Sequence, residues 1–320
     1  MKYPKMCLIM IFVVALSACN RDEIFQREQY KHVIAILSEG TFNIFAEEHD
    51  PATSNAEGYT EGYIAASCGG TLPTTESVTL KIVEDPNLLW QYNNYSFATE
   101  SYKYAHYLSP DRYRVDDPTI VIKEGEMNGR MKIQIRAAGL SPDSVYFIPF
   151  RVEQSSAYEL NPNKSTVLYR VYLKNFWAST ESIPIYSHRG IKTEDGTNNP
   201  VNTMMTKRMY PVSGNEVRIF AGNKIISEPT ASNIERWSIR ISIDPEGKVI
   251  ITPWSNTRFG MKVVQVDGDP DYPNVFKLVD DGYGKIYKTF LLCYDYVDPD
   301  DEVTYRMKEE LKIENIVTVK

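Results

Sequence analysis

Leu16-Ser17-Ala18-Cys19 is the stretch of this chain best placed for covalent chemistry, because a cysteine behind small residues at the end of a short apolar run forms a lipobox. Lys2 and Lys5 precede the run Leu8 to Leu16, which is too short to span a bilayer. The pattern predicts a bacterial secretory signal over residues 1–18, cleaved ahead of Cys19. The Cys19 thiol would carry diacylglycerol, and the new amino terminus a further acyl chain. Two lipid chains anchor stably where one does not, so the mature protein is expected to sit on a membrane without a transmembrane helix. The alternative is an ordinary secretory signal with an incidental Cys19.

Asp267, Asp269 and Asp271 match the opening of a calcium loop, but Tyr272 stands at the turn-glycine position and Leu278 at that of the closing bidentate glutamate. A turn with solvated carboxylates is the better fit, and no metal is assigned. His32, His49, His106 and His188 show no paired spacing, which leaves zinc unsupported. The chain has no nucleophile elbow, phosphate loop or dinucleotide fingerprint; Gly282-Tyr283-Gly284 lacks the third glycine and a following helix. No cofactor is expected.

The remaining chemistry is non-covalent. A sugar ring stacks its apolar face on an exposed aromatic side chain while Asn, Asp, Gln and Arg satisfy its hydroxyls. Trp254 ends a strand-like run and enters Ser255-Asn256-Thr257-Arg258, where its ring could stand at a rim beside Asn256 and Arg258. Tyr272, before Pro273, and Trp177, at a proposed domain boundary, are the other candidates; for all three the alternative is a packed or incidental ring. Trp237 runs in phase with three isoleucines and is expected in the core. Trp90, beside a short helix, is expected to pack.

Composition narrows the partners. A formal net charge of -7 disfavours nucleic acid and anionic lipid surfaces, since a phosphate-binding surface needs a basic excess. Hydrophobic residues at 42% and charged ones at 24% fit a folded chain. Twenty-two Tyr, twelve Phe and four Trp, with many Thr, Val and Ile, suit pleated surfaces. Cys7 leaves with the signal, and Cys68 and Cys293 lie far apart, so no disulfide is expected.

The elements that must position these residues are strands. Tyr30 to Leu37, Gly62 to Ala66, Val78 to Val83, Ile120 to Ile122, Met131 to Ile135, Val145 to Val152 and Thr166 to Leu173 read as strands. Asp85-Pro86 could cap a short helix with Leu88, Leu89 and Tyr92 at helical spacing. This predicts an immunoglobulin-like β-sandwich over residues 30–176, after a lipid anchor and tether at 19–29. A second domain over 177–320 follows. There Ser187 to Val201 reads as loop, and Val217 to Phe220, Trp237 to Ile243, Val249 to Trp254, Met261 to Val266, Val275 to Val279 and Tyr287 to Tyr296 as strands. Asp244-Pro245-Glu246-Gly247 is a hairpin connection. The predicted class is all-β, ending in an antiparallel β-barrel or sandwich.

Three stretches of the first domain resemble the DUF1735 domain of Bacteroides surface lipoproteins and some glycosidases. They are Ser77 to Ile82; Trp90-Gln91-Tyr92-Asn93 with Tyr107-Leu108-Ser109-Pro110-Asp111-Arg112-Tyr113; and Tyr146 to Val152. Ser109 interrupts the family's Leu-Pro pair. Tyr210 to Gly222 and Phe290 to Tyr296 resemble the companion domain DUF4361. Together these cover nearly the whole mature chain and carry no catalytic set. The related glycosidases use an Asp-Gly-x-Asp-x-Asp-x-Glu signature on a separate barrel. Asp267-Gly268-Asp269-Pro270-Asp271-Tyr272 departs from it at Pro270 and Tyr272 and lacks a surrounding βα pattern.

The resemblance implies a non-catalytic surface lipoprotein of a polysaccharide-utilisation system that binds an oligosaccharide or polysaccharide for an outer-membrane importer. Asp22 and Glu23 behind the cysteine favour display on the outer face of the outer membrane, as in such lipoproteins. The alternative is an assembly lipoprotein that contacts an importer or neighbouring lipoproteins and has no sugar site.

Overall fold

A computed structural model describes residues 30–226 and 229–316. Cys19 and the signal lie outside the described residues. No helix among them is long and apolar enough to cross a membrane. The chain forms two compact units. One comprises residues through Ala46, Gly62–Gln134 and Tyr146–Arg170; the other comprises Glu47–Glu61, Ile135–Val145 and Val171 onward.

The N-terminal strands are β1 (Val33–Ile36), β2 (Ile44–His49), β3 (Thr60–Gly69), β4 (Val78–Glu84), β5 (His106–Tyr107) and β6 (Tyr113–Arg114). They continue as β7 (Thr119–Ile122), β8 (Asn128–Ile135), β9 (Tyr146–Ser155), β10 (Glu159–Leu160) and β11 (Thr166–Leu173). One sheet runs β10-β1-β3-β8-β6, the other β2-β11-β9-β4-β7 with β5 beside β9. Alternation makes this a sandwich: Ile34, Ile36, Ile64 and Ile133 of one sheet and Leu80, Ile82, Ile120 and Phe147 of the other are buried.

Helix α1 (Pro86–Phe97) starts where Asp85 accepts the Asn87 N–H and Pro86 fixes the first turn. Its packed stripe carries Leu89, Tyr92 and Asn93, with the Tyr92 ring edge-on to Phe147 at 5.0 Å. Trp90 lies about 100° around the helix from Leu89, and its ring is 66% exposed. The expectation that it packs is therefore corrected.

The second unit continues with β12 (Ile185–Glu194), β13 (Pro200–Arg208), β14 (Tyr210–Ser213), β15 (Glu216–Phe220), helix α2 (Ala231–Trp237), β16 (Ser238–Ile243) and β17 (Val249–Pro253). It ends with β18 (Val263–Gln265), β19 (Val275–Asp280), β20 (Ile286–Val297) and β21 (Thr304–Glu314). The open question of barrel or sandwich resolves into two separate sheets, β13-β12-β21-β20-β18 with β19 also on β20, and β14-β15-β16-β17. Both line one core with Trp237, Ile239, Ile241, Ile251, Phe290 and Leu292. The hairpin at Asp244 closes as expected, and Gly247 sits at φ +84° where an added Cβ would meet the Phe276 carbonyl oxygen at 2.5 Å.

The segment expected as loop, Ser187 to Val201, is instead mostly strand: β12, a short turn, and the start of β13. Its inward positions are His188 and Gly190, neither an apolar side chain, which hides the alternation. His188 on β12, Lys207 on β13 and Glu309 on β21 are buried together. Glu309 Oε2 pairs with Lys207 Nζ and lies 2.9 Å from His188 Nε2, while the Tyr294 hydroxyl of β20 donates to Glu309 Oε1 at 2.8 Å. Burial raises the Glu309 carboxyl, but Lys207 and His188 outweigh it and hold the group below the usual carboxylate range. Cys68 and Cys293 are both free and buried.

Candidate functional site

Strands β15, β16 and β17 turn Val217, Ile219, Ile239, Ile241, Val249 and Ile251 toward the core, so the alternate residues form the opposite face. Register places Tyr210, Arg218, Arg240 and Thr252 in one row across that face, and Glu216, Ser242 and Ile250 in the next. Trp254 follows Thr252 by two residues and joins the same face.

Two guanidinium groups hold the Trp254 ring, Arg218 at 5.2 Å and Arg240 at 5.3 Å from its centroid. Arg218 is fully buried, forks onto both carboxylate oxygens of Asp143 and lies 4.5 Å from the Tyr210 ring. Arg240 is half-buried, with Nη1 4.0 Å from Glu216 Oε1 and an Nε that has no hydrogen-bond partner. Glu216 Oε1 accepts from the Ser242 hydroxyl at 2.9 Å, and Ile250 is 54% exposed beside it. The half-buried Trp254 ring thus lies beside the half-buried Arg240 guanidinium, a carboxylate acceptor, two hydroxyls and an exposed aliphatic side chain. Such a set can stack against and hydrogen-bond a hydroxyl-rich ligand.

The loop after Trp254 frames this face. Glu235 of α2 accepts from the Ser255 hydroxyl at 3.1 Å and from the Thr257 hydroxyl. Gly260 closes the loop so tightly that an added Cβ would meet the Ser255 carbonyl oxygen at 2.0 Å. Asn256 and Arg258 stand exposed on it, with the Arg258 guanidinium 4.4 Å from the ring of Phe259, itself 57% exposed.

Trp254, Asn256 and Arg258 therefore share one loop and sheet end; Tyr272 and Trp177 have other neighbours. Trp177 packs edge-on to Phe176 at 5.6 Å and Phe276 at 5.5 Å, against the core, and its Nε1 is buried without a partner. Tyr272 is half-buried at the turn where its N–H donates to Asp269 Oδ1 at 2.9 Å, and burial raises its phenol. Lys308 pairs with Asp269 at 2.5 Å and holds that carboxyl below its usual range. Asp267 accepts from Gln265 at 2.7 Å and Asn274 at 3.2 Å. Among the described residues no group of three acidic, histidine or cysteine side chains is arranged to hold a metal.

Sequence reasoning missed Arg218, Arg240, Glu216, Glu235 and Phe259. Ser238, Arg240 and Ser242 do alternate with the isoleucines, which signals their face. The cross-strand rows and the partner Asp143 depend on register and on distant chain.

A family model described as an N-terminal domain matches residues 30–159, and one described as a C-terminal domain matches residues 165–312. No curated protein matches the chain by sequence. Among solved structures, a Bacteroides ovatus protein of unknown function is similar at 14% identity and TM-score 0.65, over 90% of this chain and 98% of its own. A multidomain protein including DUF1735 from Bacteroides ovatus is 13% identical with TM-score 0.61, over 88% of this chain and 94% of its own. An auxiliary nutrient binding protein from Bacteroides thetaiotaomicron is 16% identical with TM-score 0.50, over 85% and 90%. At these identities the structural likeness speaks to the fold alone. Both family models are matched in order, so the chain carries this N-terminal domain followed by this C-terminal domain, and a protein that includes DUF1735 shares the two-domain fold.

Proposed function

We propose that this protein is a non-catalytic glycan-binding lipoprotein of the cell surface, held in the outer membrane by lipid on Cys19 and serving polysaccharide uptake. The observation that carries this is the outer face of β15–β17, where the Trp254 ring is held by Arg218 and Arg240 beside the exposed loop bearing Asn256, Arg258 and Phe259. Stacking, and hydrogen bonding from Arg240, Glu216 and Ser242, are what this face offers. The similarity to an auxiliary nutrient binding protein supports a binding role.

Affinity-gel screening of the purified protein against a broad polysaccharide set tests the proposal, with reducing-sugar release measured in parallel. Retention without release is expected. Trp254→Ala should cost about 1–3 kcal/mol of binding, taking base stacking as the nearest calibrated case, or roughly five- to hundredfold in affinity. Because Trp254 also packs against the core, Arg240→Ala and Phe259→Ala provide variants with less apolar packing to lose. Unchanged binding in all three would move the site elsewhere, and sugar release would refute the non-catalytic assignment.

An assembly role draws on a separate observation. Val264 on β18 and Leu278 on β19 are exposed on short strands along one side of β20. Failure to retain any polysaccharide would favour that role, in which these aliphatic side chains meet an importer or a neighbouring lipoprotein.

A further inference from the structure

We infer a second ligand surface on α1: a platform for a neutral sugar ring built from Trp90, Asn87, Gln91 and Asn94. It goes beyond the Trp254 face in place and residues, and rests on the proposal above only for its ligand class.

The four residues fall at i, i+3, i+4 and i+7, which makes one stripe of the helix, opposite the packed stripe of Leu89, Tyr92 and Asn93. A single exposed aromatic is ordinary on a protein surface. Here the surroundings are not, because the twelve residues Pro86–Phe97 include no Asp, Glu, Lys or Arg. A solvated helix face usually carries charge. This one carries three carboxamides around an indole that is 66% exposed.

The amides have capacity to spare. The Asn87 and Gln91 side chains are exposed and make no hydrogen bond among the described residues. Asn94 donates to the Trp90 carbonyl at 2.8 Å, which orients it beside the ring and leaves a second amide hydrogen, while the Tyr104 hydroxyl, 3.4 Å from its Oδ1, donates to the Ala98 carbonyl at 2.6 Å. A carboxamide both donates and accepts, as a sugar hydroxyl does, whereas a sulfate or carboxylate would find no counter-charge on the stripe. The chemistry therefore selects an uncharged, hydroxyl-rich ring with an apolar face.

The platform is also fixed in place. Asn93 exchanges two hydrogen bonds with the Ala105 backbone, at 2.9 and 2.8 Å, and Tyr92 packs against Phe42 at 5.3 Å. Asp85 caps the first turn. A ring on such a helix stacks with little left to order, which is what preorganised binding requires.

The test uses the purified full chain in affinity gels containing yeast mannan, xyloglucan, starch or laminarin, with polygalacturonate and chondroitin sulfate as acidic counterparts. Trp90→Ala and the double variant Asn87→Ala/Gln91→Ala are compared with Trp254→Ala, and melting curves report the fold. The expected result is retention by at least one neutral polysaccharide, weakened roughly five- to hundredfold by Trp90→Ala and also by the double variant, with melting unchanged. Loss on Trp90→Ala with Trp254→Ala unaffected would uphold this surface and reject the Trp254 site. Loss only on Trp254→Ala would reject this surface and leave the Trp254 site standing. Retention by acidic polysaccharides alone would overturn this inference, and retention by none would overturn both.

Discussion

Replacing Lys207 by methionine leaves the Glu309 carboxylate fully buried without its lysine partner, and the cost follows from that burial. Glu309 keeps His188 Nε2 at 2.9 Å and the Tyr294 hydroxyl at 2.8 Å but loses the ammonium of Lys207. Breaking a buried pair by removing one partner costs about 3–5 kcal/mol. For a domain of this size each kcal/mol lowers Tm by roughly 2–4 °C, so Lys207→Met should melt roughly 6–20 °C below the parent at pH 7. Calorimetry or circular dichroism reads this directly. The double variant Lys207→Met/Glu309→Leu removes the stranded charge and should recover most of the loss. The pH dependence supplies a second readout. A carboxylate whose pKa is depressed by folding contributes stability above its unfolded pKa and loses it as pH falls through the folded value. The parent therefore gives up this contribution below pH 4.5, and the gap between parent and Lys207→Met should narrow there. A Lys207→Met protein that melts within about 2 °C of the parent at pH 7, roughly 0.5–1 kcal/mol at this scale, would refute the dependence of Glu309 on its lysine.

His49 should make the second unit acid-sensitive in a higher window. Burial lowers its imidazole to about 4 from 6.5, so the unfolded chain takes up a proton first and stability falls as pH drops from 6.5 toward 4, by about 3 kcal/mol in all. Denaturant midpoints between pH 7 and 5 should fall in the parent and flatten in His49→Gln; an equal slope in both would reject the assignment. Trp177→Ala should destabilise by about 3 kcal/mol, because its ring packs against Phe176 and Phe276; thermal melting checks it, and an unchanged Tm would mean the ring is dispensable to the core. Cys19→Ala should move the protein from the membrane to the soluble fraction, and unchanged retention on fractionation would reject the lipid anchor.

What the sequence made legible, and what it hid, divide along one physical line. Where a strand sets apolar side chains against the core, alternation reports it: Ile239, Ile241 and Ile243 all point inward as their spacing predicts. Where the interior is polar, the signal inverts. Strand β12 buries Tyr186 and His188, β13 buries Lys207 and β21 buries Glu309, so the strands that hold the charged network lack the pattern by which strands are recognised. The loop expected at Ser187 to Val201 and the unrecognised β21 are one misreading, since each strand supplies the partner that makes burial of the other's charge tolerable.

The candidate face obeys the same division. Trp254 and its polar neighbours are visible as residue types at a strand end, but Arg218 and Arg240 become its partners only through a register that the linear chain does not display. Trp90 is the converse case. Its helix was legible from Asp85-Pro86 and the spacing of Leu88, Leu89 and Tyr92, yet the same spacing puts Trp90 outside the packed stripe. A 100° step per residue was enough to place that indole in solvent, among the amides of Asn87, Gln91 and Asn94.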